Sequence, residues 1–324
     1  MITLRKLEAA EYSQWDDMVR KQPSGTIYHQ TRWLAPVSEA VGDSLAIYGL
    51  FSGDTLIGGI PTQVRKRGPF SIARRAFATP YAGLLLASSV NAETKGKLAP
   101  ALDVFASNFS QTILTYSPFC LDKDCLPQWP SVQRGTYLLR SRVLKGLWRS
   151  LASEVRNRIR KAEKSGISIQ RDEDAAAFFH LFRDLFLHEG SKIPFSEQSF
   201  ARLLTQLTAT GVARSYLALM PDATPCAACL ILNDNRRAYY GLAAAHLELR
   251  KTGAASLLVW EALKDCEGQL SEFDFGGANI PAVAQFKRKF RGQFVSYPEF
   301  SAYRSTLEKR ILKLRDQWQW LLRK

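Results

Sequence analysis

Histidine and cysteine are scarce in this chain, and their scarcity removes whole classes of chemistry. Only four histidines occur among 324 residues: His29, His180, His188 and His246. None precedes Arg-Asp, and no G-x-G-x-x-G stands upstream of the D-F-G triplet Asp274-Phe275-Gly276. A protein kinase needs both, so the triplet sits here for another reason. No H-E-x-x-H, G-x-S-x-G or Walker sequence occurs either, so neither a metal nor a covalent nucleophile is expected. His180 and His188 fall on an apolar helical pattern and read as structural. The five cysteines, Cys120, Cys125, Cys226, Cys229 and Cys266, are too few and too scattered for a disulfide framework. With no apolar leader in the first residues, reduced thiols in a cytoplasmic protein are expected. Cys226-Ala-Ala-Cys229 has no second pair or histidine at zinc spacing and reads as strand packing. No apolar run is long enough to span a bilayer.

Charge of one sign is abundant. Forty-four lysines and arginines stand against thirty acids, a net +14. Such an excess suits a polyanionic partner: donor phosphates, RNA or an anionic membrane face. The length favours two domains, and the apolar fraction of 46% is that of an ordinary globular chain.

The order of local patterns runs twice. In the first half a strand (2–7) precedes two helical patterns (9–22 and 31–42). A hairpin around Gly53-Asp54 follows (44–68), then a β-rich run (77–87), a helix (95–109) and a strand (111–118). In the second half a strand (166–172) precedes two helices (174–190 and 196–211). A hairpin around Pro221-Asp222 follows, then a strand (236–247), a helix (253–268) and the strand SEFDFGG (271–277). A helix (281–290) and a strand (293–300) complete it. Each half reads β-α-α-β-β-β-α-β, an α/β fold with a mixed sheet flanked by helices.

Three stretches could carry chemistry. Arg250-Lys251-Thr252-Gly253-Ala254-Ala255 leaves a strand and enters a helix, where free backbone N–H groups and the positive dipole end favour a pyrophosphate. In FDFGG, Asp274 either faces a cleft or orients a loop. Gly276 and Gly277 permit close approach. Residues 147–166 read as one helix, with Trp148, Leu151, Val155, Ile159 and Ala162 toward a core. Arg149, Arg156, Arg160 and Lys164 line a separate face suited to phosphates, the alternative being plain solvation. Of Tyr239 and Tyr240, alternation leaves one for a cleft, where it could protonate a leaving group.

Taken together, R-x-x-G-x-A, LWRSLASEVRNRIRKAEKSGI, AYYGLAAA, LLVWEALK and FDFGGANIPAVAQFKRKF resemble the FemAB-like branch of the GNAT acyltransferase superfamily. The likeness is strong over 147–300 and weak before it. It implies two tandem GNAT-like modules (1–145 and 146–300) followed by a basic C-terminal helix (301–324). The resemblance also implies a donor, acyl-CoA or aminoacyl-tRNA, bound at Arg250–Ala255, and no permanently held cofactor. An amine acceptor would come from a cell-envelope precursor. Phe286-Lys287 resembles the family's F-K pair, which implies an oxyanion or phosphate role for Lys287. The family continues F-K-x-x-F-G, whereas here Arg291 separates Phe290 from Gly292. Asp274, Lys287 and Tyr240 are the expected catalytic set, with Asp274 or a water it holds as base. The corresponding loop of the first half carries Glu93 where Arg250 stands, and Gly96 for Gly253. An acid repels pyrophosphate, so the first module is expected to bind no donor.

The last residues form a basic amphipathic pattern with Tyr303, Leu307, Ile311, Leu314, Trp318 and Leu321 on one stripe. It would lie on an anionic membrane at the inner face, pack on the second module, or pair with another chain. A rival reading from another class is a non-catalytic RNA- or membrane-surface-binding protein on a decayed transferase fold. Steeply salt-dependent RNA binding without CoA binding would mark it.

Overall fold

The computed structural model describes residues 2–120, 126–140, 146–171, 174–266 and 271–321, with side chains up to 315 in the last helix. Cys125 and the side chains of Trp318 and Leu321 lie outside what is described. The chain groups into two compact units, 1–134 with 297–324, and 135–296.

In chain order the elements are β1 (Ile2–Lys6), α1 (Tyr12–Lys21), α2 (Thr31–Val41), β2 (Ser44–Ser52), β3 (Thr55–Arg67), β4 (Phe70–Arg74), β5 (Leu85–Leu86), α3 (Ala92–Gly96), α4 (Leu98–Ser107) and β6 (Gln111–Thr115). They continue with β7 (Ser131–Arg140), α5 (Leu147–Ser150), α6 (Ser153–Lys164), β8 (Ser168–Gln170), α7 (Ala175–His188), α8 (Glu197–Ala209), β9 (Ala213–Leu219), β10 (Pro225–Asn233) and β11 (Arg237–Ala245). The last are α9 (Ala254–Cys266), β12 (Glu272–Gly277), α10 (Pro281–Arg288), β13 (Gln293–Tyr303) and α11 (Thr306–Leu321).

In the first unit the sheet runs β1-β2-β3-β4-β6 and closes with the 297–303 part of β13. Every neighbour pair on this path is antiparallel except β4 and β6. In the second unit the sheet runs β8-β9-β10-β11-β12 and closes with the 135–140 part of β7. Here the one parallel pair on the path is β11 with β12. The topologies correspond strand for strand, so the repeat of local patterns is a repeat of mixed-sheet modules. In each, the sixth strand comes from the other end of the chain's order.

Three details depart from the sequence expectations. The β-rich run at 77–87 is mostly irregular, because Ala78 (φ 52°) and Gly83 (φ 62°) turn the backbone out of the β region. Only Leu85–Leu86 pairs, against Gly59 and Gly58 of β3. The run SVQRGTYLLR, which the repeat did not require, forms β7. The expected helix over 147–166 breaks at Leu151 and Ala152, both extended (ψ 146° and 138°). The break leaves α6 with Val155, Ile159 and Ala162 buried against the core it shares with α9. Burying each of the first two contributes about 1.5–3 kcal/mol.

Among the described residues, no helix is long and apolar enough to cross a membrane, and no three His, Cys, Asp or Glu stand together as a metal site.

Candidate donor and active site

The site in the second unit is built where two parallel strands part. β11 and β12 pair over Arg237–Tyr239 and Glu272–Asp274 and no further, although both strands continue. β12 is drawn aside by a bulge. Asp274 lies opposite Leu138 and Gly277 opposite Thr136, so β12 spends three residues where β7 spends two. Gly276 carries the turn with φ 69°, and a Cβ there would lie 2.7 Å from the Tyr240 carbonyl oxygen, so only glycine fits.

Asp274 holds this bulge together. Its carboxylate is fully buried, accepts the Gly276 N–H at 2.8 Å and accepts the Thr136 hydroxyl. Phe273 and Phe275 on either side are buried too. Asp274 therefore sits inside the sheet at the bulge, with Oδ1 accepting from two protein donors.

Lys287 on α10 closes the mouth. Its ammonium is buried, donates to the Gly277 carbonyl at 2.8 Å and lies 5.7 Å from the Tyr240 ring centre. An ammonium has three donors, and no other protein acceptor meets this one among the described residues. Burial drives its pKa down from 10.5 to about 8, and the nearby Asp274 charge offsets part of that fall. A buried cation with unused donors is suited to a carbonyl or oxyanion arriving from outside.

The two tyrosines separate as alternation requires. Tyr239 is buried and donates to Asp234. Tyr240 is half-buried with no hydrogen-bond partner for its hydroxyl among the described residues, and burial pushes its pKa well up, keeping the proton.

At the far end of β11 the chain makes a 3-10 turn over Glu248–Thr252 and enters α9 through Gly253 (φ 91°). A Cβ on Gly253 would lie 2.2 Å from the Arg158 carbonyl oxygen, so α6 presses directly on this loop. Lys161 ties the two by donating to the Lys251 carbonyl at 2.9 Å. Thr252 turns its hydroxyl inward, donating to Leu249 at 2.6 Å and accepting the Ala254 N–H at 3.3 Å. The Ala255 N–H has no partner among the described residues, and Arg250 and Lys251 are exposed beside it.

Of the four-cation stripe, Arg156, Arg160 and Lys164 stay four apart on α6, and Arg149 does not. Arg149 lies on α5, beyond the break. Arg156 donates to the Arg149 and Leu151 carbonyls at 2.7 and 2.9 Å and so caps the end of α5. Arg160 lies over the Trp148 ring at 5.6 Å, and Trp148 rests on Trp260 at 5.1 Å. Lys164 is exposed at the end of α6. The helix break removes Arg149 alone from the alignment that a continuous helix would have given. Arg291 supplies the turn that the usual glycine would make. It adopts φ 67° and donates from Nε to the Ser150 carbonyl at 2.9 Å.

The site residue missed in the sequence is Thr136. Its strand carries β-branched and aromatic residues and was readable as a strand. That its hydroxyl reaches a carboxylate 138 positions away was not.

In the first unit the corresponding loop forms no such cradle. Glu93 and Gly96 lie within the short helix α3, Gly96 has no positive φ, and a Cβ there would meet nothing within 4 Å. Glu93 pairs with Lys97 at the surface.

Residues 149–288 match the family model of the acetyltransferase (GNAT) domain. No curated protein sequence matches the chain. Among solved structures, FemX superposes with a TM-score of 0.62 at 14% identity, covering 91% of this chain and 96% of FemX. L-PGS from Bacillus licheniformis gives 0.57 at 12%, covering 96% and 97%. A tandem GNAT protein from the clavulanic acid biosynthesis pathway gives 0.54 at 13%, covering 94% and 99%. The similarity reaches across both units in each case.

Proposed function

We propose that this chain, with a GNAT domain in its second unit and a FemAB-like tandem fold, is an N-acyltransferase. It moves an acyl or aminoacyl group from an activated ester or thioester to an amine. The observation that carries the reading is the parting of β11 and β12 beyond Tyr239 and Asp274, with the Lys287 ammonium at its mouth.

The donor's phosphates lie over the start of α9, met by the Ala255 N–H and by Arg250 and Lys251. Its acyl arm runs into the gap between the strands. There the edge of β11 facing away from β10 offers backbone groups that no strand takes up beyond Tyr239. The acceptor amine attacks the carbonyl carbon directly, forming the C–N bond, and Lys287 holds the oxygen that becomes anionic. Collapse breaks the C–S or C–O bond, and Tyr240 delivers a proton to the departing thiolate or ribose oxygen. The proton lost by the amine leaves through solvent, and solvent returns one to Tyr240. Asp274 is a positioning residue in this scheme, because its carboxylate is buried and engaged by Thr136 and Gly276. Holding two reactants in line supplies much of the rate.

The donor is acyl-CoA or aminoacyl-tRNA. Both carry phosphates beside an activated carbonyl, and the net charge of +14 favours either. The acceptor is an amine of a cell-envelope precursor, met in the cytoplasm at the inner membrane face. Thermal unfolding with CoA, acetyl-CoA, a long-chain acyl-CoA and charged tRNA tests this beside an Arg250→Glu/Lys251→Glu variant. Both changed residues are exposed, so the variant folds. A ligand at about 100 times its dissociation constant adds roughly 2.7 kcal/mol. Stabilisation that the variant loses identifies the donor. Salt-sensitive RNA binding without any donor effect would instead favour a non-catalytic binding protein.

A further inference from the structure

The hairpin of β3 and β4 gathers cations in the first unit. From Arg65 to Arg75 the chain carries five basic residues and no acid. The register pairs Arg65 with Ile72 and Gln63 with Arg74, so Arg65 and Arg74 are diagonal neighbours on one side of the sheet. Arg67, two residues beyond Arg65, shares that side. Like charges so placed repel one another. One carboxylate steadies them. Asp43, its side chain only 4% exposed, accepts Arg65 Nε at 2.7 Å and Arg74 Nη2 at 3.0 Å. α11 meets this unit through Glu308 and Leu312, its buried positions, and brings a further cation, Arg315, which donates to the Arg67 carbonyl at 3.3 Å.

Donors outnumber acceptors here. A guanidinium has five N–H groups. Among the described residues, Arg65 and Arg74 each use one nitrogen, and both use it on Asp43. Arg74 Nε is buried and meets no acceptor among the described residues. A buried donor left unmet costs stability. Burial and the charges of Arg65 and Arg67 draw the Arg74 pKa below the ordinary arginine value, against the hold of Asp43. A cavity of about 380 Å³ opens beside this cluster, lined by Gly42, Asp43 and Ser44 of the α2–β2 turn and by Val64, Arg65 and Lys66 of β3. That volume suits a small ligand. Lys66 is exposed there and has no ion pair among the described residues. The Glu39 and Ser38 carbonyls at the end of α2 are taken up by the Gly42 and Asp43 N–H groups, which limits their opposition to an anion.

We infer that this cavity binds a phosphate group. Its oxygens accept from the unused Nη groups of Arg65 at the cavity wall, with Lys66 beside them, and its charge offsets the excess that Arg74 shares through Asp43. Charge selects the ligand class. Three cations, Arg65, Lys66 and Arg74, stand against the single carboxylate of Asp43, which leaves two positive charges. A phosphate monoester carries about −1.5 to −2 at pH 7 and three acceptor oxygens, whereas a carboxylate brings one charge and two oxygens. Arginine pairs with phosphate through two parallel N–H groups. Free phosphate and phosphate esters share this chemistry. None of these residues belongs to the site in the second unit, so the inference does not rest on the transfer reading.

The test is titration calorimetry of the full chain with inorganic phosphate, glycerol phosphate and acetate at constant ionic strength. The expected result is binding of both phosphates and none of acetate. Arg65→Gln/Arg74→Gln/Asp43→Asn removes the three charges together, so no buried charge is left unpaired, and it should weaken binding at least about tenfold. Lys66→Gln changes an exposed side chain and should give a smaller loss. Melting curves show that each variant folds. Tighter binding of glycerol phosphate assigns the cavity to an esterified ligand, and tighter binding of inorganic phosphate to the free ion. No phosphate binding by the parent, or equal binding by the parent and both variants, overturns the inference. Binding kept by the triple variant but lost in Arg250→Glu/Lys251→Glu places the phosphate at the loop before α9 and overturns it as well.

Discussion

The hydroxyl of Thr136 on β7 donates to the buried carboxylate of Asp274 on β12, and that carboxylate also accepts the N–H of Gly276. This contact fixes the bulge that opens β12 away from β11. Thr136→Val should cost about 1–3 kcal/mol, because it leaves a buried carboxylate short of a donor. Urea denaturation measures the loss. Valine preserves the shape, so an unchanged midpoint would remove Thr136 from this role.

Lys287 is the buried cation at the site, and its removal should separate activity from stability. Lys287→Met should lower turnover by about 10²–10³, the usual loss for one oxyanion donor. Stability at pH 7 should not fall and should rise by about 1–2 kcal/mol. The folded ammonium titrates near 8 instead of 10.5, a cost of about 3 kcal/mol, partly offset by the lost bond to Gly277. Between pH 8 and 10.5 the unfolded chain holds a proton that the folded chain has released, so the parent gains stability as pH rises. The advantage of the variant should therefore shrink above pH 8 and vanish at about pH 9 in paired melting curves.

The pH profile of kcat/KM distinguishes an electrostatic from a basic role for the same lysine. A cation that steadies an oxyanion gives an alkaline limb near pH 8. Asp274→Asn should move this limb to lower pH, since the Asp274 charge supports the ammonium. A rate that climbs through pH 8 would mean that Lys287 acts as a base.

Two glycines in corresponding loops should respond oppositely. Gly253→Ala meets φ 91° and an oxygen at 2.2 Å, so a loss above about 2 kcal/mol and of donor stabilisation is expected. Gly96→Ala lies in a helix with nothing within 4 Å and should be neutral or stabilising by up to about 1 kcal/mol. Thermal unfolding with and without the donor reads both.

Local chemistry determined much of this protein before any folding. Alternating and helical patterns put the strands and helices of both modules in order, because side-chain period depends only on neighbours in the chain. Gly253 after Arg250, with a helix behind it, marked the proposed donor loop for the same reason. Glu93 and Gly96 marked its counterpart as unlike it. What neighbours do not determine came only with tertiary structure. The helix over 147–166 has unbroken helical spacing, yet it breaks at Leu151, and Arg156 turns to cap the break. Asp274 reads as a candidate base from its triplet, and its environment is set by Thr136, far away in sequence. The stripe Leu307, Ile311, Leu314 is plain in the sequence, but which side of α11 meets the protein was decided by Glu308 and Leu312. Periodicity says which residues share a face; only packing says what that face meets.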